Sequence, residues 1–375
     1  MERAQKSNII EDLNKKMVFL VGPRQVGKTW LAKDIAKGYE KSLYLNYDSL
    51  EDRRIMHQLG WLPETDLLIL DELHKMPKWK NYLKGVYDTR PNHLHILVTG
   101  SARLETYRQA GDSLAGRFFV HHLLPLSLKE IDGKKEKDDL DTLLKRGGFP
   151  EPFLAAGDVD AKRWRQGYID SLLREDILDF TDIDKYKSMR DVFEILRTKV
   201  GSPISFQNIA ADVGISPVTV KRYIEILKAL YIVYTISPYT KKISRSILKE
   251  QKLYFYDTGL IKGDEGVVFE NLVGNALLKH VYFRRDTMAS LGSLHYLKNK
   301  EKQEVDFVLT DDSEEPELLV EVKLGDRNLS AGLRYFGEKY NVKGVQVVKN
   351  LARGERKGDL FELREAKDFL GWLKA

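Results

Sequence analysis

The sequence contains no cysteine among its 375 residues. Disulfide bridges and thiolate metal sites are therefore excluded, and a cytoplasmic location is the natural expectation. No apolar run approaches the roughly 18–20 residues that a membrane-spanning helix needs, so we expect no membrane partner. The first residues also lack the apolar stretch of a signal peptide. The net charge of +5 is small, and it permits a polyanionic partner without requiring one.

Residues 22–29 read Gly-Pro-Arg-Gln-Val-Gly-Lys-Thr, a complete phosphate-binding loop. An apolar run at 16–21 precedes the loop as a predicted strand, and residues 30–36 follow as a predicted helix, which is the context that this motif requires. The backbone N–H groups of such a loop bind the α- and β-phosphates of a nucleotide beside the positive end of the helix dipole. We expect Lys28 to reach the β- and γ-phosphates and the Thr29 hydroxyl to hold Mg²⁺. The residues of this loop that we expect to contact the nucleotide are Gly22, Arg24, Gln25, Val26, Gly27, Lys28 and Thr29.

Two later apolar segments end in polar residues. Residues 66–72 place four apolar residues before Asp71 and Glu72, as in a central parallel strand that ends at the active edge of a sheet. Asp71 is predicted to hold Mg²⁺ through water, and Glu72 to orient and deprotonate the attacking water. The alternative is a buried strand that merely ends in surface carboxylates. In the next segment, 95–101, Ser101 or alternatively Thr99 is placed to sense the γ-phosphate. Together with the loop, this pattern predicts a site that hydrolyses a nucleoside triphosphate, with ATP as the expected nucleotide, or that did so in an ancestor.

A different pattern begins near residue 202. Ser205 and Ser216 are predicted N-caps of two short helices, and Pro217 opens the second of them. Two strand-like segments follow, joined by a basic loop. Helix–turn–helix plus a basic hairpin is typical of a winged helix, which binds DNA. The alternatives are a protein–protein spacer and charges that are only solvated. The basic residues predicted to contact DNA are Lys221, Arg222 and Lys228 on the second helix and Lys241, Lys242 and Arg245 in the loop.

The last ~110 residues carry a second pattern of charged residues. The predicted element order is α-β-β-β-α-β, with Asp306 on the second strand and the Glu321-Val322-Lys323 segment on the third. Glu321 and Lys323 point to the same face by the period of two, and normal hairpin pairing brings Asp306 beside Glu321. Two carboxylates that share a site repel unless a cation neutralises them, and Mg²⁺ or alternatively Mn²⁺ prefers such ligands. Glu270 is a candidate further ligand. Lys323 is predicted to activate water or to stabilise the pentavalent phosphate. The alternative is a solvent-facing charged pair.

These observations predict three α/β or helical modules and a connector. The first has the alternation of strands and helices that is typical of a parallel sheet with helices on both faces. The predicted domains are a P-loop ATPase core (1–125), a helical connector (126–200), a winged helix (201–257) and an α/β domain that carries the second pattern of charged residues (258–375).

Further segments complete a family resemblance over nearly the whole chain. Besides the loop, they are Leu70–Glu72, Thr99–Ser101, Leu114–Arg117, Leu124–Ser127, Gly147–Pro150, Leu253–Leu260, Phe269–Asn271 and Glu304–Phe307. With these segments the chain resembles the bacterial and archaeal AAA+-type ATPases that end in a domain of unknown function. Its last domain looks like the PD-(D/E)xK nuclease superfamily. The resemblance implies a P-loop AAA+-type parallel-sheet domain over 1–125, then the winged helix, and a restriction-endonuclease-like α/β domain over 258–375. The resemblance implies that Arg117 is an arginine finger or sensor, which acts on nucleotide in its own or in a neighbouring subunit. A homo-oligomer is therefore among the expected states.

The resulting hypothesis is a cytoplasmic ATPase that uses nucleotide binding to position a winged helix and a Mg²⁺-dependent nuclease-like domain on DNA. The rival is a regulatory or signalling ATPase whose last domains bind a partner or DNA and cut nothing. A third interpretation is a nucleotide-gated transcription regulator, which binds one DNA sequence and leaves it intact.

Overall fold

The structure is a computed structural model that describes residues 2–100, 114–131, 139–173, 183–240, 250–325, 328–351 and 356–375. The chain forms two compact units, Met1–Leu124 and Pro125–Ala375, and each is described by itself. Within the described ranges, no helix combines the length and the apolar character needed to cross a membrane.

The first unit is built on a five-stranded sheet in which all pairings are parallel. Its strands are β1 (Met17–Val21), β2 (Ser42–Asn46), β3 (Leu67–Asp71), β4 (His95–Thr99) and β5 (Phe118–His122), and they pair in the order β2-β3-β4-β1-β5. Every residue of β1 and β3 is buried, which explains why these strands have continuous apolar runs in the sequence. The predicted parallel α/β sheet is confirmed.

Four α-helices and a short 3-10 helix (Leu73–Lys75) accompany this sheet in the described part of the unit. The α-helices are α1 (Lys6–Leu13), α2 (Lys28–Ala36), α3 (Leu50–Gln58) and α4 (Trp79–Thr89). Helix α2 begins at the last two residues of the phosphate-binding motif, so the loop lies between the end of β1 and the start of α2. This placement is the one that the motif requires.

The second unit opens with helices and continues with a helix pair and a hairpin. The opening helices are α5 (Leu128–Ile131), α6 (Asp139–Arg146), α7 (Pro150–Phe153), α8 (Asp158–Ser171) and α9 (Ile183–Leu196). The helix pair is α10 (Phe206–Val213) and α11 (Pro217–Ala229), and the antiparallel hairpin is β6 (Val233–Ile236) with β7 (Lys252–Phe255).

The predicted caps of the helix pair are confirmed. The Ser205 side chain accepts from the Asn208 N–H at 3.4 Å, and the Ser216 side chain accepts from the Thr219 N–H at 3.1 Å. Gly214 ends α10 with a φ of 75°, a left-handed conformation that favours glycine. The local sequence is therefore sufficient to specify these two helices and the turn between them.

The rest of the second unit is a long helix and a mixed six-stranded sheet. The elements are α12 (Glu265–Met288), β8 (Leu294–Lys298), β9 (Glu304–Thr310), β10 (Pro316–Lys323), α13 (Ala331–Tyr340), β11 (Gly344–Val348), β12 (Arg356–Lys357), β13 (Phe361–Glu365) and α14 (Ala366–Trp372). The strand order is β12-β13-β11-β10-β9-β8. The structure contains the predicted α-β-β-β-α-β order and adds β12, β13 and α14 after it.

Candidate functional site

Two glycines give the phosphate-binding loop its shape. Gly22 has a φ of 145°, and a Cβ atom at this position would lie 2.2 Å from the Leu123 carbonyl oxygen, so no larger residue fits. Gly27 is the N-cap of α2 with a φ of 99°, in the region that favours glycine. Gln25 also has a positive φ, 57°, although it is not a glycine. The loop therefore turns sharply between a buried strand and a helix N-terminus, which is the conformation needed to present backbone N–H groups to phosphates.

Lys28 is almost fully buried in this loop. Its Nζ atom donates to the carbonyl oxygens of Gly22 at 3.0 Å and of Pro23 at 2.6 Å. Burial lowers the pKa of the Lys28 ammonium to about 8, while the nearby carboxylates of Glu72 and Asp71 oppose that shift. The ammonium is thus held inside the loop, close to the two acids at the end of β3.

A second buried cation, Arg3, supports the loop from outside the motif. Its Nη2 atom donates to the Val26 carbonyl at 3.2 Å and to the Leu124 carbonyl at 2.6 Å. A loop that points N–H groups at phosphates turns several carbonyl groups the other way, and buried carbonyls need donors. Arg3 supplies one of these donors. No local pattern in the sequence indicates this role, because the partners of Arg3 are 23 and 121 residues away.

Asp71 is the centre of the hydrogen-bond network at the edge of the sheet. Its Oδ2 atom accepts from the Thr29 hydroxyl at 2.8 Å and from the Tyr44 hydroxyl at 2.6 Å. Its Oδ1 atom accepts from the Thr99 hydroxyl and from the Glu72 N–H. The structure therefore brings the predicted magnesium residues Thr29 and Asp71 together, and it adds Tyr44, which the sequence did not indicate. A hydroxyl and a carboxylate at this distance fit the ligand preference of Mg²⁺.

Glu72 lies beside Asp71 in a left-handed conformation with a φ of 55°. Burial raises the pKa of its carboxyl, and Asp71 adds to that effect while Lys75 and Lys28 oppose it. His74 Nε2 is 3.5 Å and Lys75 Nζ 3.9 Å from Glu72 Oε2. A carboxylate with a raised pKa is suited to accept a proton from water. Of the two predicted γ-phosphate sensors, Thr99 is fully buried against Asp71, and Ser101 lies outside the described residues.

Arg117 lies at the opposite end of the strands from the phosphate-binding loop. Met17 is paired with Phe118, so Arg117 is level with the start of β1, whereas the loop follows the end of β1 at Val21. Four strand residues separate the two levels, about 13 Å at ~3.3 Å per residue, which exceeds the reach of an arginine side chain. Its guanidinium instead forms two hydrogen bonds with Asp88, at 2.8 and 3.0 Å. Action of Arg117 on nucleotide in its own subunit does not fit this geometry. Action on a neighbouring subunit stays a prediction.

In the second unit, the structure brings Asp306 and Glu321 together as an acidic pair. Phe307 pairs with Val320, which sets Asp306 opposite Glu321 one step further along the two antiparallel strands. The Val322 N–H donates to Asp306 Oδ2 at 2.9 Å, and Lys323 Nζ lies 2.9 Å from Glu321 Oε1. The predicted hairpin register and the shared face of Glu321 and Lys323 are therefore present.

The acidic pair fits a divalent cation in its chemistry. Burial raises the pKa of the Glu321 carboxyl to about 7, and the Asp306 charge adds to the shift. Burial likewise raises the pKa of Asp306. Glu321 Oε2 is buried and accepts no hydrogen bond from the part of the chain that the structure describes. Mg²⁺ is usually held by one or two carboxylates, with water and substrate phosphate completing the shell. Asp306 and Glu321 would be the two carboxylates here.

Glu270 is not part of a three-carboxylate cage. Among the described residues, no group of three or more histidine, aspartate or glutamate side chains has an arrangement that could hold a metal ion. Glu270 Oε1 instead accepts from the Tyr254 hydroxyl at 2.8 Å, and Lys252 Nζ is 3.9 Å away. Burial raises the pKa of Glu270 to about 7, with the Asp306 charge as the next cause. Tyr254 and Lys252, both on β7, therefore hold the carboxylate of Glu270, and a role of Glu270 as a further metal ligand stays a prediction.

The second helix of the pair carries three of the basic residues that are predicted to contact DNA. Val220, Ile224 and Leu227 are buried, as predicted, while Lys221 and Arg222 are exposed. Lys228 is less exposed, and its Nζ atom lies 3.0 Å from Glu225 Oε1. The loop residues predicted to contact DNA, Lys241, Lys242 and Arg245, lie outside the described residues.

The loop, the Thr29–Asp71 contact and the parallel sheet define the first unit as a P-loop ATPase domain of the AAA type. Residues 14–132 match the family described as AAA domain. Residues 137–263 and 265–365 match two families described as domains of unknown function, DUF8612 and DUF4143.

Two curated relatives are the uncharacterized proteins Rv2008c of Mycobacterium tuberculosis and Mb2031c of Mycobacterium bovis. Each is 27% identical over 246 residues, which cover 65% of this chain and 55% of the relative. This chain thus spans about half the length of the curated relatives it matches. Among solved structures, the Walker-type ATPase PABY2304 of Pyrococcus abyssi is 14% identical with a TM-score of 0.43, and the match covers 71% of this chain and 95% of that one. A point variant of RuvB from Thermotoga maritima is 20% identical with a TM-score of 0.33, over 65% of this chain and 94% of that one.

Proposed function

We propose that this protein is a cytoplasmic ATPase that hydrolyses ATP with Mg²⁺ and uses the nucleotide state to act on DNA. The observation that carries the ATPase step is the 2.8 Å hydrogen bond between Thr29 and Asp71, which joins the phosphate-binding loop to the acid at the end of β3. These two residues would hold Mg²⁺, which supplies charge neutralisation on the β- and γ-phosphate oxygens.

The remaining groups of the site have separate tasks. When ATP binds, the Lys28 ammonium leaves the two loop carbonyls and contacts phosphate oxygens instead. Its electrostatic attraction to the phosphates is stronger there than in water because the site is buried. Glu72 orients a water molecule. The water oxygen bonds to the γ-phosphorus while the bond from that phosphorus to the bridging oxygen breaks, and the water proton passes to the Glu72 carboxylate. ADP is the leaving group. Ser101 would sense the γ-phosphate.

Two substitutions test this assignment. Lys28→Ala should abolish ATP binding, and Glu72→Gln should retain binding but lose hydrolysis. Lys37→Ala is the matched control, because Lys37 lies just beyond the same helix and pairs with Asp34 at the surface. ATP binding is measured by calorimetry and hydrolysis by phosphate release. Hydrolysis at the parent rate in Glu72→Gln would refute the role of Glu72.

DNA is the proposed partner of the helix pair, in the manner of a winged helix. The exposed Lys221 and Arg222 support this proposal, since α11 would be the helix that enters the groove. The basic loop residues Lys241, Lys242 and Arg245 would contact the DNA backbone.

The test of this partner is the effect of DNA on the ATPase. DNA should stimulate ATP hydrolysis, and the stimulation should fall steeply with salt, because phosphate contacts release counterions. Lys221→Ala with Arg222→Ala should remove it. Lys228→Ala should have a smaller effect, because Lys228 is already paired with Glu225. Undiminished stimulation in the double variant would refute the contact through α11.

We further propose that the C-terminal domain is a nuclease-like domain with Asp306, Glu321 and Lys323 as its site. Asp306 and Glu321 would hold Mg²⁺ or Mn²⁺, which would polarise a phosphodiester. The Lys323 ammonium, partly exposed beside Glu321, would position the attacking water or stabilise the pentavalent phosphate. The test compares the parent with Asp306→Ala on linear, single-stranded and branched DNA, with either metal, with and without ATP. Cleavage at equal rates by the two proteins would refute the site.

A second candidate is a regulatory ATPase whose last domains bind a protein or DNA and cut nothing. The engagement of Glu270 by Tyr254, rather than by a carboxylate cage among the described residues, favours it. Intact ATP hydrolysis with no cleavage of any DNA would select this candidate. Salt-sensitive stimulation by a single DNA sequence would then indicate a transcription regulator.

A further inference from the structure

Lys252 is a buried cation next to the acidic pair. It lies on β7, and its side chain is only 2% exposed. Its Nζ atom is 2.5 Å from Glu304 Oε1 and 3.9 Å from Glu270 Oε1, and it lies 5.2 Å from the centre of the Tyr296 ring. An ammonium group is expensive to bury unless carboxylates compensate its charge. The burial of Lys252 therefore depends on these two acids, together with the nearby charge of Asp306.

The same two acids are the carboxylates that border the acidic pair. Glu304 lies two residues before Asp306 on β9 and so on the same face of the sheet. Glu304 Oε2 is also 2.7 Å from Lys298 Nζ, on the exposed side. Glu270 Oε1 accepts from the Tyr254 hydroxyl. Both carboxylates are thus occupied by groups of the protein.

Phosphodiester chemistry with two metal ions places the second ion about 3.5–4 Å from the first, and that ion needs carboxylates of its own. Glu270 and Glu304 are the described acids beside the acidic pair that could bind a second metal ion. Lys252 already neutralises their charges. We propose that Lys252 is a built-in cation that takes the place of a second metal ion, so that Asp306 and Glu321 bind a single divalent ion. This inference rests on the metal site in the proposed function.

The experiment counts Mn²⁺ ions bound to the full chain by electron paramagnetic resonance, without nucleotide. The parent should bind one ion that the Asp306→Asn, Glu321→Gln double variant loses. Lys252→Gln should bind two ions, or the one ion at least tenfold more tightly. Lys252→Arg, which keeps the charge, should behave as the parent. Lys298→Gln is the matched control, because it removes the exposed partner of the same Glu304, and it should also bind one ion.

The outcomes separate the inference from the site on which it rests. One ion of unchanged affinity in both the parent and Lys252→Gln would overturn the inference and leave the metal site standing. No ion in the parent would overturn both. If Lys252→Gln lacks the circular dichroism spectrum of the parent, the number of ions bound by the parent decides. Two ions bound by the parent and lost in the double variant would overturn the inference, and one such ion would support it.

Discussion

The Tyr44 hydroxyl donates a 2.6 Å hydrogen bond to Oδ2 of Asp71, the same oxygen that accepts from Thr29. Tyr44 lies on β2, at the edge of the sheet, and β2 pairs with β3. Burial and this hydrogen bond both raise the pKa of the tyrosine, so it remains a neutral donor. Tyr44 therefore fixes the orientation of the carboxylate that we expect to face the metal.

Tyr44→Phe should raise the Mg²⁺ concentration needed for ATP hydrolysis by roughly 10- to 100-fold, since a hydrogen bond to a charged group is worth ~1.5–3 kcal/mol. The ATP hydrolysis rate as a function of Mg²⁺ measures the change. Tyr39→Phe is the matched control, because the Tyr39 hydroxyl contacts His95 Nδ1 at 2.8 Å and not Asp71. Equal Mg²⁺ requirements in the two variants would contradict a positioning role for Tyr44.

Arg3→Ala should weaken ATP binding and lower the free energy of unfolding. The substitution leaves the buried carbonyls of Val26 and Leu124 without this donor, at a cost of about 1–3 kcal/mol. Calorimetry with ATP and urea denaturation measure the two effects. Lys6→Ala is the control, because Lys6 pairs with Asp34 near the surface rather than with the loop. Parent affinity in Arg3→Ala would show that the loop holds its shape without this support.

ATP binding should weaken as the pH rises through about 8, where the Lys28 ammonium of the free protein loses its proton. Phosphate oxygens favour the charged form, so the protein should take up a proton when it binds ATP above that pH. Calorimetry at a pH of about 8.5, in buffers of different ionisation enthalpy, detects the uptake. The effect of pH on stability has the opposite sign. Burial of the Lys28 ammonium lowers the free energy of unfolding most below a pH of about 8, where both states hold the proton, and this penalty falls steadily as the pH rises from about 8 to the ordinary pKa of 10.5. Binding without proton uptake would contradict the lowered pKa.

Lys279→Met should lower the free energy of unfolding by about 3–5 kcal/mol, because it leaves a buried carboxylate uncompensated. Lys279 and Glu130 form an ion pair whose side chains are 3% and 2% exposed. Lys262→Met is the control, because Lys262 pairs with Glu194 at the surface, where an ion pair contributes little. Urea denaturation compares the two, and equal midpoints would show that the buried pair is not needed.

Local patterns in the sequence were sufficient for the elements that depend on neighbours in the chain. The caps at Ser205 and Ser216 and the loop before Lys28 follow from short motifs, and the structure contains them as predicted. The hairpin register that sets Asp306 beside Glu321 follows from the alternation along two strands.

Contacts between distant segments could not be predicted in this way. Arg3 reaches Leu124 across 121 residues, and Tyr44 reaches Asp71 from another strand. Lys252 looks like any surface lysine in the sequence, yet it is buried against Glu304. The sequence does not indicate strand β13 for another reason. The strand is short and rich in charge, and its pairing with β11 is what stabilises it.

Arg117→Ala tests whether this arginine serves a neighbouring subunit. We expect a loss of ATP hydrolysis on the order of 10³-fold, the contribution of an arginine finger. Mixing Arg117→Ala with Lys28→Ala should restore part of the activity, because mixed assemblies contain sites with an intact loop and an intact arginine. Asp88→Asn is the companion variant, since it removes the partner that holds Arg117 but keeps the arginine. Full activity of Arg117→Ala alone would end this interpretation.

The opposite positions of the loop and Arg117 on one sheet also restrict how such subunits could assemble. A contact that brings the start of the strands in one copy to the end of the strands in the next joins two different surfaces. Such a contact is heterologous and cannot be closed by a two-fold axis. Repetition of it generates a closed ring or an open helical filament, in which every interior copy both receives and supplies an arginine.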